Sequence, residues 1–390
     1  MTAVRCPVNE AAQISRDEPA LVLDDREITY SQLEFYVTGA CDRLQRAGCR
    51  ADERVALRAE EPWQTVVLMM ALLRLRAVAC LLAGDETDPE NMSLGTCRHF
   101  IGGEEFPRPV AGFHRQAVEL MPVYLEGQDT AAESMLSLEQ LAVVLFCRNQ
   151  GDAVRGILYP YGSLYYGARG ANHAIRLSSK CRWLSAFPLH EAAGLSALFR
   201  CLLSGAALVL PSPGLSLEDA LKRREVSHVN LPPDGLERLL ERGTRERFPR
   251  LRVVLVEGGE AHPALLQEAR AAGWPVYPGF GIPEVASGIT AMRPDAPPAR
   301  QGCSGVALKY REVRVAADGE ILVRGPALFA GYIETHGFRC PVDADGWFST
   351  GERGRLGSDG YLNVLKMDYP QPGPEHRKAL RECRKKLEAS

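Results

Sequence analysis

The chain is poor in the patterns that mark metal, redox or membrane proteins. Its 11 cysteines include no Cys-x-x-Cys pair, and the nearest two are Cys41 and Cys49. Its 8 histidines show neither His-x-His nor His-x-x-x-His spacing. These absences exclude a zinc site of ordinary ligand spacing, and the cysteines read as reduced thiols rather than a disulfide framework. The most apolar stretch, Val66 to Ala83, is broken by Arg74 and Arg76, whereas a membrane span needs about 20 clean apolar residues. It reads as a buried helix running into a strand. The opening MTAVRCPVNE has no apolar core of a secretory signal, so a cytoplasmic protein with no membrane span is expected. Nor is there an excess of positive charge: 46 Lys and Arg face 49 Asp and Glu, a net charge of −3. That balance excludes the electrostatic footprint of a nucleic-acid binder. No strand runs into Gly-x-Gly-x-x-Gly, which argues against a dinucleotide-dependent dehydrogenase.

What is present is an ordinary globular composition, 46% hydrophobic and 24% charged, in 390 residues. Single hydrophobic cores stop growing at roughly 250–300 residues, so more than one packed layer system is expected. Thr29 or Ser31 caps a helix carrying Leu33, Val37, Ala40 and Leu44 at helical spacing, and Gly48 stops it. Arg54 to Leu57 reads as a strand and Trp63 to Leu73 as a helix, while Gly84 to Ser137 is weakly patterned. Continuous apolar runs at Leu141–Phe146, Ala206–Leu210 and Val253–Val256 read as buried parallel strands. A helix is expected from about Ser163, and crossover helices over Leu217–Arg223 and Pro263–Ala272. After about Arg293 the pattern changes to hairpins. Arg311–Val315 and Glu320–Arg324 flank Asp318-Gly319, and Arg353–Leu356 and Tyr361–Leu365 flank Asp359-Gly360. The expected fold is therefore α/β, with layered α/β subdomains followed by a smaller antiparallel β subdomain over about 294–366. Residues 367–390 form a proline-containing linker and a basic helix, Glu375 to Ser390.

Chemistry in such a fold gathers in loops at strand ends. Phe146 to Gly156 follows the strongest strand, with two glycines, no Ser or Thr, and one well-placed cation, Arg155. Taken alone it fits an ordinary turn as well as a phosphate loop. Glu257-Gly258-Gly259-Glu260 and Gly279-Phe280-Gly281-Ile282-Pro283-Glu284 are glycine-rich strand ends that let a flat ring or a phosphate approach the backbone. Gly346-Trp347-Phe348-Ser349-Thr350-Gly351-Glu352 sets a carboxylate beside glycine in an aromatic turn.

In this order the segments resemble the adenylate-forming superfamily, the acyl-CoA synthetases and adenylation domains, over about Ala20 to Asp368. Ile28-Thr29-Tyr30-Ser31-Gln32-Leu33 resembles "TY.QL", and Phe187-Pro188-Leu189-His190-Glu191-Ala192-Ala193-Gly194-Leu195 resembles "PLHHVAGL". Phe280 to Glu284 is similar to "YGMTE", and Gly346 to Glu352 to "GWFxTGD". Leu198 to Gly205 and Arg270 to Tyr277 are closest to the o-succinylbenzoate–CoA ligase branch. The resemblance implies the family's large AMP-binding domain over residues 1–366. It also implies a two-step reaction: a carboxylate and ATP give acyl-AMP and pyrophosphate, and a thiol, that of CoA or of a carrier protein's phosphopantetheine, takes the acyl group. By match Glu284 holds Mg²⁺ and Arg155 serves the phosphates. Glu352 takes the ribose in place of the family Asp, and Gly258, Gly259, Glu260, Phe280 and Gly281 frame the adenine. Lys366, in the hinge-like Lys366-Met367-Asp368, joins the nucleotide set. His190 and Gly194 border the acyl pocket, or His190 is a packed core histidine.

The departures fall on the catalytic machinery. Cys147, Arg148, Asn149, Gln150 and Gly151 stand where the family loop "YTSGTTGxPKG" carries hydroxyls and its first glycine, and Arg155 stands for the lysine. Pro283 replaces the threonine before the metal-binding Glu, and Glu191 replaces a pocket histidine. The chain has seven lysines, none in the context of the family's lid lysine, and 22 residues follow Asp368. A positioned cation on a transferring phosphate is worth several kcal/mol. Two readings follow. One is an atypical ligase for an aryl or medium-chain acid, served by a separate lid domain or slow without one. The other is a catalytically degenerate scaffold that binds a ligand or a partner.

Overall fold

A computed structural model describes residues 2–58, 61–83, 97–102, 114–116, 133–148, 154–211, 214–242, 247–259, 261–292, 296, 300, 303–334 and 336–365. Glu260, Lys366, the phosphate-loop residues 149–153 and the expected basic helix lie outside them. The helix Tyr30–Arg46 begins where the sequence places its cap: the Thr29 hydroxyl accepts from Gln32 N at 3.2 Å, and Gln32 Oε1 accepts from Thr29 N at 2.9 Å. This reciprocal box satisfies two backbone donors that a helix start leaves open. Leu33, Val37, Ala40 and Leu44 form its buried face. Arg74, which breaks the longest apolar run, ends the helix Pro62–Arg74 in a buried ion pair with Glu34. Glu34 Oε1 also accepts from Asn9 Nδ2 at 3.0 Å. Pairing of this kind offsets the cost of burying a cation.

Two sheets organise the molecule. The first orders its strands Gly337–Arg339, Gly331–Glu334, Val154–Pro160, Leu141–Arg148, Val78–Leu81, Arg54–Arg58, Cys97–Gly102 and His114–Gln116. The second has a parallel block of Val276–Phe280, Val253–Val256, His228–Leu231, Arg182–Ser185, Ala207–Val209 and Pro19–Val22. An antiparallel block continues it through Thr290–Ala291, Gly305–Ala307, Tyr361–Leu365, Phe348–Leu356, Glu320–Arg324 and Glu312–Val315. Both expected hairpins form, with Gly319 and Gly360 at φ near +90° and +81°, where a side chain is strained. The antiparallel strands thus extend the parallel sheet instead of starting a detached one. Leu57, Leu145 and Tyr159 of the first sheet share one core with Trp183, Leu208 and Leu255 of the second, and the helices Pro62–Arg74, Tyr161–Ile175 and Ala192–Leu202 contribute to it.

One segment departs from the sequence reading. Leu141 to Phe146 is a buried strand, but after the phosphate-loop residues the chain returns as the antiparallel strand Val154–Pro160 before the helix Tyr161–Ile175 begins. Residues 154–159 are Val, Arg, Gly, Ile, Leu and Tyr, all buried but Arg155, and they pair on both edges. Arg155 is therefore a strand residue opposite Cys147, not a residue of a strand-to-helix loop.

Candidate functional site

The candidate site is built around the loop that follows the strand Val276–Phe280. The strand Val276–Phe280 ends in a loop that returns at Ile289, whose N–H donates to Phe280 O at 2.7 Å. Gly281 and Gly288 close its neck: a Cβ on Gly281 would lie 2.8 Å from Gly288 Cα. Only glycine permits that approach. Glu284 sits on this loop, 6% exposed, its carbonyl accepting from Phe329 N at 2.9 Å. From the other sheet, the Tyr159 hydroxyl donates to Pro283 O. The proline that replaces the family threonine thus still offers a backbone acceptor tying the loop to the neighbouring strand.

Glu284, Arg155 and Tyr332 gather beside this loop. The Tyr332 hydroxyl donates to Glu284 Oε1 at 2.6 Å, and Arg155 Nη2 donates to the same oxygen at 3.2 Å. The Arg155 guanidinium carbon lies 4.1 Å from the Tyr332 ring centroid, and that of Arg339 4.8 Å. Both distances are within cation–π range. Burial opposes the Arg155 charge, yet Cys147, Tyr332 and Glu284 outweigh it and raise its pKa. Burial, reinforced by the bond to Glu284, raises that of Tyr332. Arg155 Nε is buried with no hydrogen-bond partner among the described residues. The structure thus brings Arg155 and Glu284 together and adds Tyr332, which the sequence reading missed; its position in the strand pairing with Val154–Pro160 is the signal that would have found it.

A single carboxylate fits Mg²⁺ here in the manner usual for that ion, which takes one or two carboxylates and completes its shell with phosphates and water. Glu284 Oε1 already accepts two bonds, one from Arg155 and one from Tyr332. Among the described residues no group of three metal-ligating side chains exists.

On the far side of the same loop lies a small cavity of about 20 Å³, walled by Ala171, Ile175, Leu255, Phe280 and Leu308 with Arg200 and Glu257 as its charged groups. Arg200, on the helix Ala192–Leu202, is 2% exposed. Its Nη2 donates to Ser287 O at 3.0 Å and lies 3.9 Å from Glu257 Oε2, and its guanidinium faces the Trp183 ring at 5.2 Å. Nε and Nη1 of Arg200 and the Ser287 hydroxyl have no hydrogen-bond partner among the described residues. Burial lowers the Arg200 pKa, while Glu257 opposes that shift. Asn230 holds Glu257 in place, Nδ2 donating to Oε1 at 2.7 Å, and accepts from Trp183 Nε1 at 2.8 Å. Buried donors without partners are costly in a folded protein, and Arg200 and Ser287 are both among the residues lining this cavity. The sequence reading passed over Arg200, although a lone cation in the otherwise apolar Leu195–Leu203 marks it.

The remaining expected residues divide. Phe280 lines the cavity. Gly258, at φ +76°, is a turn glycine whose Cβ would meet the Phe187 ring at 2.7 Å, and Gly259 follows it into solvent. Glu352 is exposed on the strand Phe348–Leu356, its N–H donating to Thr350 Oγ1 at 3.1 Å. His190 and Gly194 are not among the cavity's lining residues. Gly194 is a packing glycine, since a Cβ there would lie 2.0 Å from Pro188 O. Glu191, read as a charge at the pocket, is exposed at the start of the helix Ala192–Leu202.

Two abutting sheets, a glycine-pinched loop bearing a carboxylate, and a cavity beneath it define an adenylate-forming large domain. The chain belongs to the AMP-binding enzyme family, whose sequence profile matches residues 8–117 and 155–333. It is 29% identical over 367 residues to 2-succinylbenzoate–CoA ligase of Listeria monocytogenes serotype 4b (strain F2365), covering 92% of this chain and 77% of that one. Its fold is similar to O-succinylbenzoate coenzyme A synthetase (MenE) of Bacillus subtilis in complex with AMP, TM-score 0.81 at 23% identity, over 94% of this chain and 79% of the other. The same enzyme in complex with ATP and magnesium ion gives 0.79 at 23% identity, over 94% and 80%. No helix among the described residues is long and apolar enough to cross a membrane.

Proposed function

We propose that this chain is an acid–thiol ligase, residues 1–366 being its adenylating domain. In this reading ATP and an aryl acid give acyl-AMP and pyrophosphate, and the CoA thiol then takes the acyl group. The observation that carries the substrate class is Arg200. A buried guanidinium with two idle donor atoms in an apolar cavity suits an anionic or carbonyl group on the acid, remote from the carboxylate that reacts. The Listeria relative is named for 2-succinylbenzoate, an aryl acid with two carboxylates.

At the phosphate end Arg155 supplies the cation of the missing lysine, able to fork onto two phosphate oxygens. Glu284 is the carboxylate for Mg²⁺, which offsets charge building on the phosphoryl group. Phe280 and the Gly258–Gly259 turn border the base, and Glu352 is placed on the ribose by its motif alone. ATP–pyrophosphate exchange across a panel of mono- and dicarboxylic aryl acids tests this function. Exchange is expected with acids bearing a second acceptor group, and no exchange with any acid by a chain of intact circular dichroism overturns it.

A further inference from the structure

We infer that Arg155 changes anionic partners during nucleotide binding, leaving Glu284 for phosphate while staying stacked on the Tyr332 ring. The inference rests on the nucleotide site proposed above. The cation assigned to phosphate and the carboxylate assigned to the metal are bonded to each other, Arg155 Nη2 to Glu284 Oε1 at 3.2 Å. Neither is free for its ligand. The Tyr332 hydroxyl, on the same oxygen at 2.6 Å, holds the carboxylate in this state.

The geometry provides a route between partners. The guanidinium lies 4.1 Å from the Tyr332 centroid, a contact that depends on the ring face and not on which anion the edge of the fork meets. Arg155 Nε, buried and without a partner among the described residues, and a side chain 27% exposed leave the fork able to take an anion from the open side. Tyr332 is therefore a positioning residue: its ring carries the cation and its hydroxyl the carboxylate. Phosphate draws Arg155 off, and Glu284 is released toward the metal in the same movement. Nucleotide binding thus has to break an ion pair, and the metal gains its carboxylate only as that happens.

This gives Glu284 opposite effects on two ligands. Calorimetric titration of the full chain with AMP in EDTA, and with ATP plus Mg²⁺, reads both. Glu284→Gln frees Arg155, so AMP without metal should bind about three- to tenfold tighter, the range of a partly exposed ion pair. ATP with Mg²⁺ should bind more weakly than to the native chain. Tyr332→Phe keeps the ring and should also tighten AMP, whereas Tyr332→Leu removes the platform and should weaken it. If Glu284→Gln does not fold, Glu284→Asp draws the carboxylate back by one methylene and should shift AMP in the same direction. Unchanged or weaker AMP binding by a folded Glu284 variant overturns the exchange while leaving the nucleotide site intact. Absence of AMP binding by the native chain and every variant overturns the nucleotide site, and the exchange with it.

Discussion

The two cations that the proposed function assigns to a phosphate end and an acyl end handle burial in opposite ways. At the phosphate end Arg155 is matched at once by a carboxylate and a ring, and its charge is stabilised. At the acyl end Arg200 sits more deeply buried with one carbonyl bond, a carboxylate at 3.9 Å and two idle donor atoms. The first cation already has a partner that a ligand must displace; the second lacks one that a ligand can supply. A site of the first kind gives up part of its binding energy to the broken pair. A site of the second kind gains the full strength of a charge-assisted bond, because the empty state holds a desolvated, under-bonded group. Discrimination between substrates should therefore arise at Arg200, and ordering between nucleotide and metal at Arg155.

The largest expected effect breaks the acyl end. Arg200→Leu should lower kcat/KM for a dicarboxylic aryl acid by about 100-fold or more, the scale of a lost buried charge-assisted bond, and lower that for the matching monocarboxylic acid much less. An equal loss for both acids removes Arg200 from recognition. Next, Gly194→Ala forces a Cβ to 2.0 Å from Pro188 O. It should destabilise the fold by about 1–3 kcal/mol in a denaturant titration, and an unshifted midpoint would show the backbone yields freely there. At the phosphate end, Arg155→Gln should weaken AMP only about three- to tenfold, since the nucleotide no longer has to break a pair when the cation is gone. A loss as large as that at Arg200 would mean the two ends do not differ as described.

The same contrast governs what could be read from residues alone. The Thr29 cap, both Asp-Gly hairpins and the helix Leu217–Arg223 were legible because each rests on local chemistry within a few residues. So were Arg155 and Glu284 as candidates, since their motifs are contiguous. The strand Val154–Pro160 was not, because its pairing with Leu141–Arg148 and Gly331–Glu334 is set by partners up to 177 residues away. Once that strand was taken for a loop, Tyr332 had no reason to stand beside Arg155. Arg200 failed to stand out because its role depends on the absence of partners, and only packing shows which donors are left over. His190 and Gly194 belong to a contiguous motif, and Arg200, which lines the cavity, lies six residues past Gly194.

The smallest effect supplies the control that makes the comparison sharp. Thr29 lies apart from Arg155 and Arg200, and its hydroxyl closes the start of the helix Tyr30–Arg46 and meets Ser31 Oγ at 3.0 Å. Thr29→Ala removes one arm of the reciprocal cap and should cost about 1 kcal/mol of stability. That helix packs into the core which both sheets share. If the two cations draw their properties from local pairing, a loss of this size in the scaffold should lower the melting temperature and leave two quantities fixed: the affinity for AMP and the preference for dicarboxylic over monocarboxylic acid. Thermal unfolding followed with and without AMP measures the first, and exchange kinetics with the two acids the second. A shift in either, at a helix so placed, would show that global loosening reaches the two cations. The differences assigned to Arg155 and Arg200 would then need to be read against that background before being credited to their partners.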